Sequence, residues 1–170
     1  MHKVWLRLQR YGRTSRDWRA KDLCGWLGVE KVIWIPILHP DKWTDGHVDG
    51  KARFVKPGAV LVDLRHPEIG GFLEQATDAK GRKLKVTEVE PPVKVRTSIP
   101  DFCRCYLNFY FANGSVIMPH FGDSNADDRA RNIVAKAYPQ REVVPLELDA
   151  LASGGGLIHC VTRQEPLPAG

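Results

Sequence analysis

The chain has 170 residues, of which 43% are hydrophobic, so it can bury one globular core and is neither fibrous nor disordered. Its 25 lysine and arginine residues exceed its 20 aspartate and glutamate residues, but they form no block long enough for a nucleic-acid-binding stripe. No apolar run approaches the roughly 20 residues that span a bilayer, and MHKVWLRLQRYGRTSR lacks the apolar core of a signal peptide, so we expect a cytoplasmic protein with neither nucleic-acid nor membrane partners.

The first predicted elements are a helix at 15–27 and an apolar strand at 31–36. SRDWRAKDLCGWL has a helical pattern, and Gly28 is suited to cap its C-terminal end. We expect Trp26 and Trp34 to lie in the core. The two elements form the second half of a unit that recurs further along the chain.

The first full copy of this unit covers 52–89. Two short strands, 52–55 and 59–64, are joined by a turn at Pro57 and Gly58. A helix follows at 66–79, with Pro67 in its first turn, and LKVTEV is the closing strand. The residues expected on the buried face of the helix are Ile69, Phe72, Leu73 and Ala76.

The second copy covers 106–148. A hairpin is predicted at 106–119, where Asn113 and Gly114 supply the positive φ angles of a tight turn. A helix then begins at the capping-type residues Ser124 and Asn125 and stops at Pro139, and a strand closes the copy at 142–148. The residues expected on its buried stripe are Ala130, Ile133, Val134 and Ala137.

Repetition of a strand-strand-helix-strand module at a spacing of about 54 residues favours a radially repeated architecture within a single domain, 1–170. An array that began with the half module 15–36 would leave unpaired strand edges. We therefore expect the chain to be part of something larger, or to close its ring with another chain.

The four cysteines are Cys24, Cys103, Cys105 and Cys160, and their spacing fits neither a disulfide framework nor a zinc site. We expect reduced thiols and no metal. The sequence CRC at 103–105 is better explained by packing than by metal binding. His120 and Asp123 could be ligands, but a loop that enters a capped helix explains them equally well.

Two distant segments carry candidate chemistry. His47 and Asp49 lie two residues apart, so in an extended segment their side chains point to the same side. Gly46 and Gly50 flank the pair and permit unusual φ angles or close backbone approach. Alternatively, the histidine is a turn residue and the aspartate a turn cap.

The second segment is GGGLIHCVT at 154–162, predicted to be a glycine-rich entry to a short strand. In a strand His159 and Cys160 face opposite ways, so we expect His47 to be the partner of the cysteine and His159 to be structural. A cysteine, a histidine and a carboxylate in one pocket suit nucleophilic catalysis, because the thiolate is the attacking form. The alternative is a cysteine that is part of an inert core.

Three stretches in register resemble the agmatine deiminase and bacterial peptidylarginine deiminase family of guanidine-modifying enzymes: DGHVDGKARFVKPGAVL, YLNFYFANGSVIMPHFGDSNADDRA and GGGLIHCVTRQEP. The resemblance implies an α/β fold of the pentein type, a propeller of five ββαβ modules of which this chain is about half. It implies that Cys160 attacks the guanidinium carbon, that His47 transfers protons and that Asp49 binds guanidinium nitrogens. We also assign Gly154, Gly155 and Gly156 to substrate binding.

The sequence departs from the family pattern in two respects. Members carry, in their N-terminal half, a motif with tryptophan, arginine and aspartate and a further acidic residue, and no segment here corresponds to them. Arg163 stands where the family commonly has glutamine, and this cation would disfavour a second cationic group on the substrate.

The resulting hypothesis is a deiminase that hydrolyses agmatine to N-carbamoylputrescine and ammonia through a covalent Cys160 thiouronium, with water as co-substrate and no cofactor. Its remaining partners are a missing N-terminal half or a second copy of the chain. The alternatives are a truncated non-catalytic fragment, an arginine-type deiminase and an amidinotransferase.

Overall fold

Each of the two full modules is built around a three-stranded sheet with a helix between its second and third strands. The computed structural model describes residues 4–8, 16–36 and 47–165, with side chains described from residue 20 onward within those ranges. By internal contacts the chain forms two units, residues 1–88 and 89–170, which are described in turn. The single domain expected from the sequence stays a prediction.

In its described residues the first unit contains five strands and three helical segments. Its elements are β1 (Val4–Leu8), α1 (Arg16–Leu27), β2 (Lys31–Ile35), a 3₁₀ turn (Val48–Gly50), β3 (Ala52–Lys56), β4 (Ala59–Asp63), α2 (Pro67–Gln75) and β5 (Lys85–Val89). Strand β1 pairs in parallel with β2, from Val4 opposite Lys31 to Leu8 opposite Ile35. The sequence did not predict β1, so the half module is larger than expected.

The β3–β4 hairpin is the predicted one, with Gly58 at a φ of +78° in its turn and a bulge between Phe54 and Lys56. Strand β4 lies between β3 and β5, and this central place explains why its residues are the most deeply buried of the hairpin. The core around it includes the predicted helix residues Ile69 and Leu73. Its other buried members are Ile33, Ile35, Ala52, Val60, Val62 and Leu84.

Helix α2 ends at Gln75, short of the predicted Ala79. The reason is a side-chain turn at Asp78, whose Oδ1 accepts hydrogen bonds from the backbone N–H groups of Lys80 at 2.9 Å and Arg82 at 3.0 Å. The Arg82 guanidinium donates to the other oxygen at 2.7 Å, and this bond lowers the pKa of Asp78. These hydrogen bonds hold the backbone around Asp78 in a turn, so the helix does not continue through it.

Trp26 and Trp34, both expected in the core, differ in burial. Trp26 is 80% exposed, so its assignment to the core was wrong. Trp34 is partly buried in β2. Trp26 lies in the last turn of α1, where Gly25 and Leu27 are also exposed, and a helical pattern alone did not identify the buried face.

The second unit contains the other three-stranded sheet. Its elements are β6 (Tyr110–Ala112), β7 (Ser115–His120), α3 (Ser124–Ala137), β8 (Glu142–Glu147), α4 (Asp149–Ala152) and a second 3₁₀ turn (Ile158–Val161). Strand β7 is central, antiparallel to β6 and parallel to β8, and Gly114 has a φ of +75° in the hairpin turn. The predicted hairpin is confirmed, except that residues 106–109 precede the strand as a buried irregular segment.

Helix α3 has the predicted bounds almost to the residue, but its cap differs. The N-cap is Asp123, whose carboxylate accepts a hydrogen bond from the Ala126 N–H at 3.3 Å, and not Ser124 or Asn125. Of the predicted buried stripe, Ala130 and Val134 are buried, whereas Ile133 and Ala137 are only partly buried. No helix in the described ranges is long and apolar enough to cross a membrane.

The carboxylate of Asp127 joins three parts of the second unit. Its Oδ1 accepts hydrogen bonds from the Tyr106 hydroxyl at 2.7 Å and from the Phe121 N–H at 2.9 Å. Its Oδ2 accepts from the Gly122 N–H at 3.0 Å. Burial and the neighbouring carboxylate raise the pKa of Tyr106, so the hydroxyl remains a donor at any physiological pH. This carboxylate fixes the segment before β6 and the segment after β7 to helix α3.

We predict that Asp127→Asn destabilises the protein by about 1–3 kcal/mol, because an amide has one acceptor oxygen and places its NH₂ group against at least one of the three donors. The measurement is the free energy of unfolding from urea titration followed by circular dichroism. Asp128→Asn is the matched control, since Asp128 is the exposed next residue of the same helix. Equal unfolding free energies for the two variants would contradict the role given to Asp127.

His66 generates a second prediction, on pH. Burial and the nearby cations Lys51 and Arg65 lower the pKa of His66 below its usual value of 6.5, with Glu68 opposing them from 3.7 Å. The unfolded chain therefore binds this proton at a higher pH than the folded protein does, and stability falls as pH is lowered through 6.5 toward the folded-state pKa.

We expect His66→Asn to lose less stability than the wild type between pH 8 and pH 5.5. At pH 8 the imidazole is neutral in both states, so that pH supplies the reference for each protein. Urea titration followed by tryptophan fluorescence measures the difference. A variant whose stability falls as steeply as that of the wild type would contradict the assignment.

Candidate active site

Cys160 lies on an exposed 3₁₀ turn, Ile158–Val161, and not on the predicted strand. The turn closes through the Cys160 N–H, which donates to the Leu157 carbonyl at 3.0 Å. The Thr162 hydroxyl donates to the Ile158 carbonyl at 2.6 Å. Leu157 is fully buried and anchors the turn. Alternation of residue types predicted a strand, but the segment bonds to itself and not to a neighbouring strand.

The three glycines before this turn serve different geometric needs. Gly154 and Gly155 follow α4, and their N–H groups donate to the carbonyls of Leu151 and Ala152 at 2.9 and 3.1 Å. Gly155 has a φ of +81°, a backbone conformation that side chains with a Cβ rarely adopt. A Cβ at Gly156 would lie 3.2 Å from the Cys160 Cβ and 3.3 Å from its Sγ. The glycines therefore shape the approach to the thiol, and their assignment to substrate binding stays a prediction.

Asn108, which the sequence analysis did not single out, contacts the thiol directly. Its side-chain Nδ2 donates to Cys160 Sγ at 3.2 Å, and its Oδ1 accepts from the His159 N–H at 3.0 Å. Asn108 is 2% exposed, in a segment where each neighbour from Cys105 to Phe109 is also buried. The available signal was one amide in the otherwise apolar run YLNFYF.

His47 and Asp49 lie in the first unit, where the backbone departs from the predicted extended segment. His47 is extended, with φ −121° and ψ 141°, but the 3₁₀ turn begins at the next residue. The argument that residues two apart point to the same side was therefore wrong for this pair. His47 is exposed and Asp49 partly buried, and Gly46 lies outside the described residues. The convergence of His47 and Asp49 on Cys160 stays a prediction.

A second carboxylate of the first unit, Asp63, is buried and has a structural role. Asp63 is 1% exposed at the end of β4, and the Arg65 side chain donates to both of its oxygens, at 2.8 and 2.9 Å. Such a two-point contact with arginine satisfies a buried carboxylate. Asp63 therefore holds the Arg65 side chain at the end of β4.

The remaining candidates of the second unit are engaged in structural contacts. Asp123 caps α3 and also accepts from the Val93 and Lys94 N–H groups at 3.0 and 3.2 Å, and these donors lower its pKa. The carbonyl of His120 accepts from Arg96 at 2.7 Å. Among the described residues, no group of three His, Cys, Asp or Glu side chains could hold a metal ion.

His159 and Arg163 lie on either side of the turn that carries Cys160. His159 is partly buried and its N–H is bound by Asn108, which agrees with a structural role. Arg163 is exposed, and its carbonyl lies 3.5 Å from the Tyr110 hydroxyl. It lines an open depression of about 430 Å³ that also includes Asn113, Gln164 and Glu165. The depression thus carries a cation and a carboxylate beside the turn.

Residues 1–166 match the family model of the Porphyromonas-type peptidyl-arginine deiminases. The chain is 35% identical to an agmatine deiminase of Medicago truncatula over 95% of its own length and 51% of the relative's. A putative agmatine deiminase of Selenomonas ruminantium is 38% identical over 85% of this chain and 46% of its own.

A solved structure shares the fold. It is an agmatine deiminase of Enterococcus faecalis, 30% identical, with a TM-score of 0.83 over 97% of this chain and 54% of the solved chain. The chain therefore spans about half the length of the curated relatives and structures it matches.

The close approach of Gly156 to the thiol leads to a prediction. In Gly156→Ala the new methyl group crowds the Cys160 side chain, so we expect iodoacetamide to alkylate Cys160 roughly threefold or more slowly. Mass spectrometry of the Cys160 peptide measures the rate. Gly71→Ala, where an added Cβ meets nothing within 4 Å, is the control and should alkylate at the wild-type rate. An unchanged rate in Gly156→Ala would show that the glycine does not limit the thiol.

Proposed function

Because the chain belongs to the Porphyromonas-type peptidyl-arginine deiminase family, we propose that it forms part of a guanidine deiminase with Cys160 as the nucleophile. The substrate is agmatine, and the products are N-carbamoylputrescine and ammonia. The observation that carries the proposal is the presentation of Cys160: an exposed thiol on a tight turn, with a buried amide donor at its sulfur and a glycine beside it.

The chemistry follows from the guanidinium group, which is planar and cationic. A carboxylate binds two of its nitrogens through charge-assisted hydrogen bonds, and Asp49 has this role. With the carbon held in place, the Cys160 thiolate adds to it and forms a tetrahedral centre. His47, acting as an acid, gives a proton to one nitrogen, the C–N bond breaks, and ammonia leaves a covalent thiouronium on the sulfur.

The second half of the reaction restores the enzyme. His47, now a base, takes a proton from water, and the oxygen adds to the thiouronium carbon. The C–S bond then breaks, the thiolate is regenerated and the ureido product leaves. Positioned proton transfer of this kind typically contributes about 10²–10⁴ in rate. Every atom of the products comes from the guanidine and one water molecule, so the cycle requires no redox partner.

We infer that the two full modules and the β1–α1–β2 segment are successive parts of an α/β propeller of five modules. Support comes from the shared sheet order, β3-β4-β5 and β6-β7-β8, with a helix before each closing strand. The parallel pairing of β1 with β2 matches that of β7 with β8. Within the complete ring, an N-terminal half or a second copy supplies the remaining guanidinium-binding groups, and the reaction takes place in the cytoplasm.

Arg163 favours a second candidate substrate. Its exposed cation attracts a carboxylate, and Glu165, in the same depression beside the turn of Cys160, attracts an amine. A guanidine that carries a carboxylate, as arginine does, would satisfy it. Comparison of kcat/KM for agmatine and arginine distinguishes the two substrates, and Arg163→Gln should shift the ratio toward agmatine.

We predict that Cys160→Ala abolishes ammonia release from agmatine, because no other group replaces the nucleophile. Cys103→Ala, at a partly buried thiol of the same unit, should retain turnover. The measurements are ammonia and N-carbamoylputrescine, with circular dichroism to confirm folding. Residual turnover in Cys160→Ala would overturn its role. Product that forms only with an added amine acceptor would identify an amidinotransferase, and an inactive, folded wild type would identify a non-catalytic fragment.

A further inference from the structure

An open depression of about 430 Å³ lies where strand β6 meets the segment that follows the turn of Cys160. Strand β6 contributes Tyr110, Phe111 and Ala112 to its lining, and the segment contributes residues 163–165. The volume is within the range of small-molecule sites. Cys160 itself is not among the described residues that line the depression, so the depression lies beside the thiol and does not include it.

Arg163 and Glu165 give the depression two opposite charges on side chains two residues apart. Both residues are exposed. Within the described part of the chain neither side chain forms an ion pair, so both charges face solvent. An α-amino acid carries the complementary pair, an ammonium and a carboxylate, on a single carbon. Charge-assisted hydrogen bonds between such groups are stronger than those between neutral groups.

The remaining polar groups of the lining suit the same ligand. Asn113, in the hairpin turn, and Gln164 are both exposed, and their amides can donate to a carboxylate or accept from an ammonium. The Tyr110 hydroxyl lies 3.5 Å from the Arg163 carbonyl, so the strand and the segment are in contact.

The β6 side of the depression is held in place by aromatic and arginine contacts. Phe111 packs edge to face on Tyr138 and Phe109, with ring centres 4.9 and 5.4 Å away. The Arg141 guanidinium lies 5.1 Å from the centre of the Phe111 ring and donates to the Ala112 carbonyl at 2.7 Å. A site whose lining is already ordered loses less entropy when a ligand binds. Phe111 and Ala112 are only partly buried, so apolar surface remains for the side chain of an amino acid.

We propose that this depression binds the head group of an α-amino acid, with Arg163 binding the carboxylate and Glu165 the ammonium. Agmatine has no carboxylate, so it satisfies only one of the two charges. The head group has two sources: L-arginine as the guanidine substrate, or a separate free amino acid that binds beside the active site. The inference concerns binding, and it does not depend on the role proposed for Cys160.

The alternative is that Arg163 and Glu165 are ordinary solvated surface charges. Three ligands with the same alkyl chain separate the two cases. L-norleucine has the complete head group and no guanidine. Hexanoate keeps only the carboxylate, and pentylamine keeps only the ammonium.

The experiment is a titration of ¹⁵N-labelled Cys160→Ala protein, which requires no turnover. The side-chain amide signals of Asn113 and Gln164 report binding, and those of Asn125, exposed on α3, are the control. We expect saturable shifts with L-norleucine and a dissociation constant between about 0.1 and 10 mM. Hexanoate and pentylamine should bind roughly three- to fivefold more weakly, since each lacks one exposed charge pair.

Substitution of each charge should give a crossed pattern. Arg163→Gln should weaken L-norleucine and hexanoate roughly three- to fivefold without weakening pentylamine. Glu165→Gln should weaken L-norleucine and pentylamine without weakening hexanoate. Arg131→Gln, the same change at an exposed arginine of α3, is the matched control and should bind all three ligands as the parent protein does.

Three results would overturn the proposal. In the first, L-norleucine causes no saturable shift. In the second, the three ligands bind equally well. In the third, Arg163→Gln and Arg131→Gln bind L-norleucine with the same affinity. The remaining amide signals show in the same spectra that each variant is folded.

Turnover by the wild type identifies the source of the head group. If L-arginine is the source, L-norleucine competes with it, and Arg163→Gln raises KM for L-arginine while kcat changes little. If a separate amino acid is the source, Arg163→Gln weakens L-norleucine without changing KM for L-arginine or agmatine.

Failure of this inference and failure of the proposed function have different signatures. If agmatine is hydrolysed through Cys160 while L-norleucine does not bind, only this inference fails. If the wild type turns over no guanidine while the crossed binding pattern holds, the proposed reaction is wrong and the amino-acid site remains.

Discussion

The second unit depends on one carboxylate in helix α3. Asp127 accepts hydrogen bonds from Tyr106, Phe121 and Gly122, so it fixes the entry to β6 and the exit from β7 to the same helix. Asn108 is two residues beyond Tyr106 in the same buried segment, and its amide reaches the thiol of Cys160. The residue that organises the second unit and the residue that contacts the thiol thus share one buried segment, 106–109.

The elements predicted correctly are those whose burial imposes a period on the sequence. Ile69 and Leu73 of α2, and Ala130 and Val134 of α3, face the core because helices bring residues three and four apart onto one face. The end of α2 is different, because it is set by the hydrogen bonds of a single aspartate, Asp78. Such a bond leaves no periodic trace, so only the folded backbone reveals it.

The local structure of the candidate site was also predicted only in part. A glycine run and a family motif made Cys160 the predicted nucleophile, and that role stays a prediction. Its predicted strand is a 3₁₀ turn, since four residues are too few for alternation to distinguish the two. The same ambiguity made the extended geometry of His47 and Asp49 wrong. Asn108 was missed because its role depends on a contact 52 residues away along the chain, which no local pattern encodes.

The two glycines nearest the turn also restrict how this region can change by mutation. Every single-base change of a glycine codon that introduces another amino acid adds a Cβ. At Gly155 a residue with a Cβ would be strained, because the backbone has a φ of +81°. At Gly156 the Cβ would lie 3.2 Å from the Cys160 Cβ. Neighbouring positions on the exposed turn, such as Val161, are free of this restriction. Substitutions at Gly155 and Gly156 are therefore more costly than substitutions at an exposed position of the turn such as Val161.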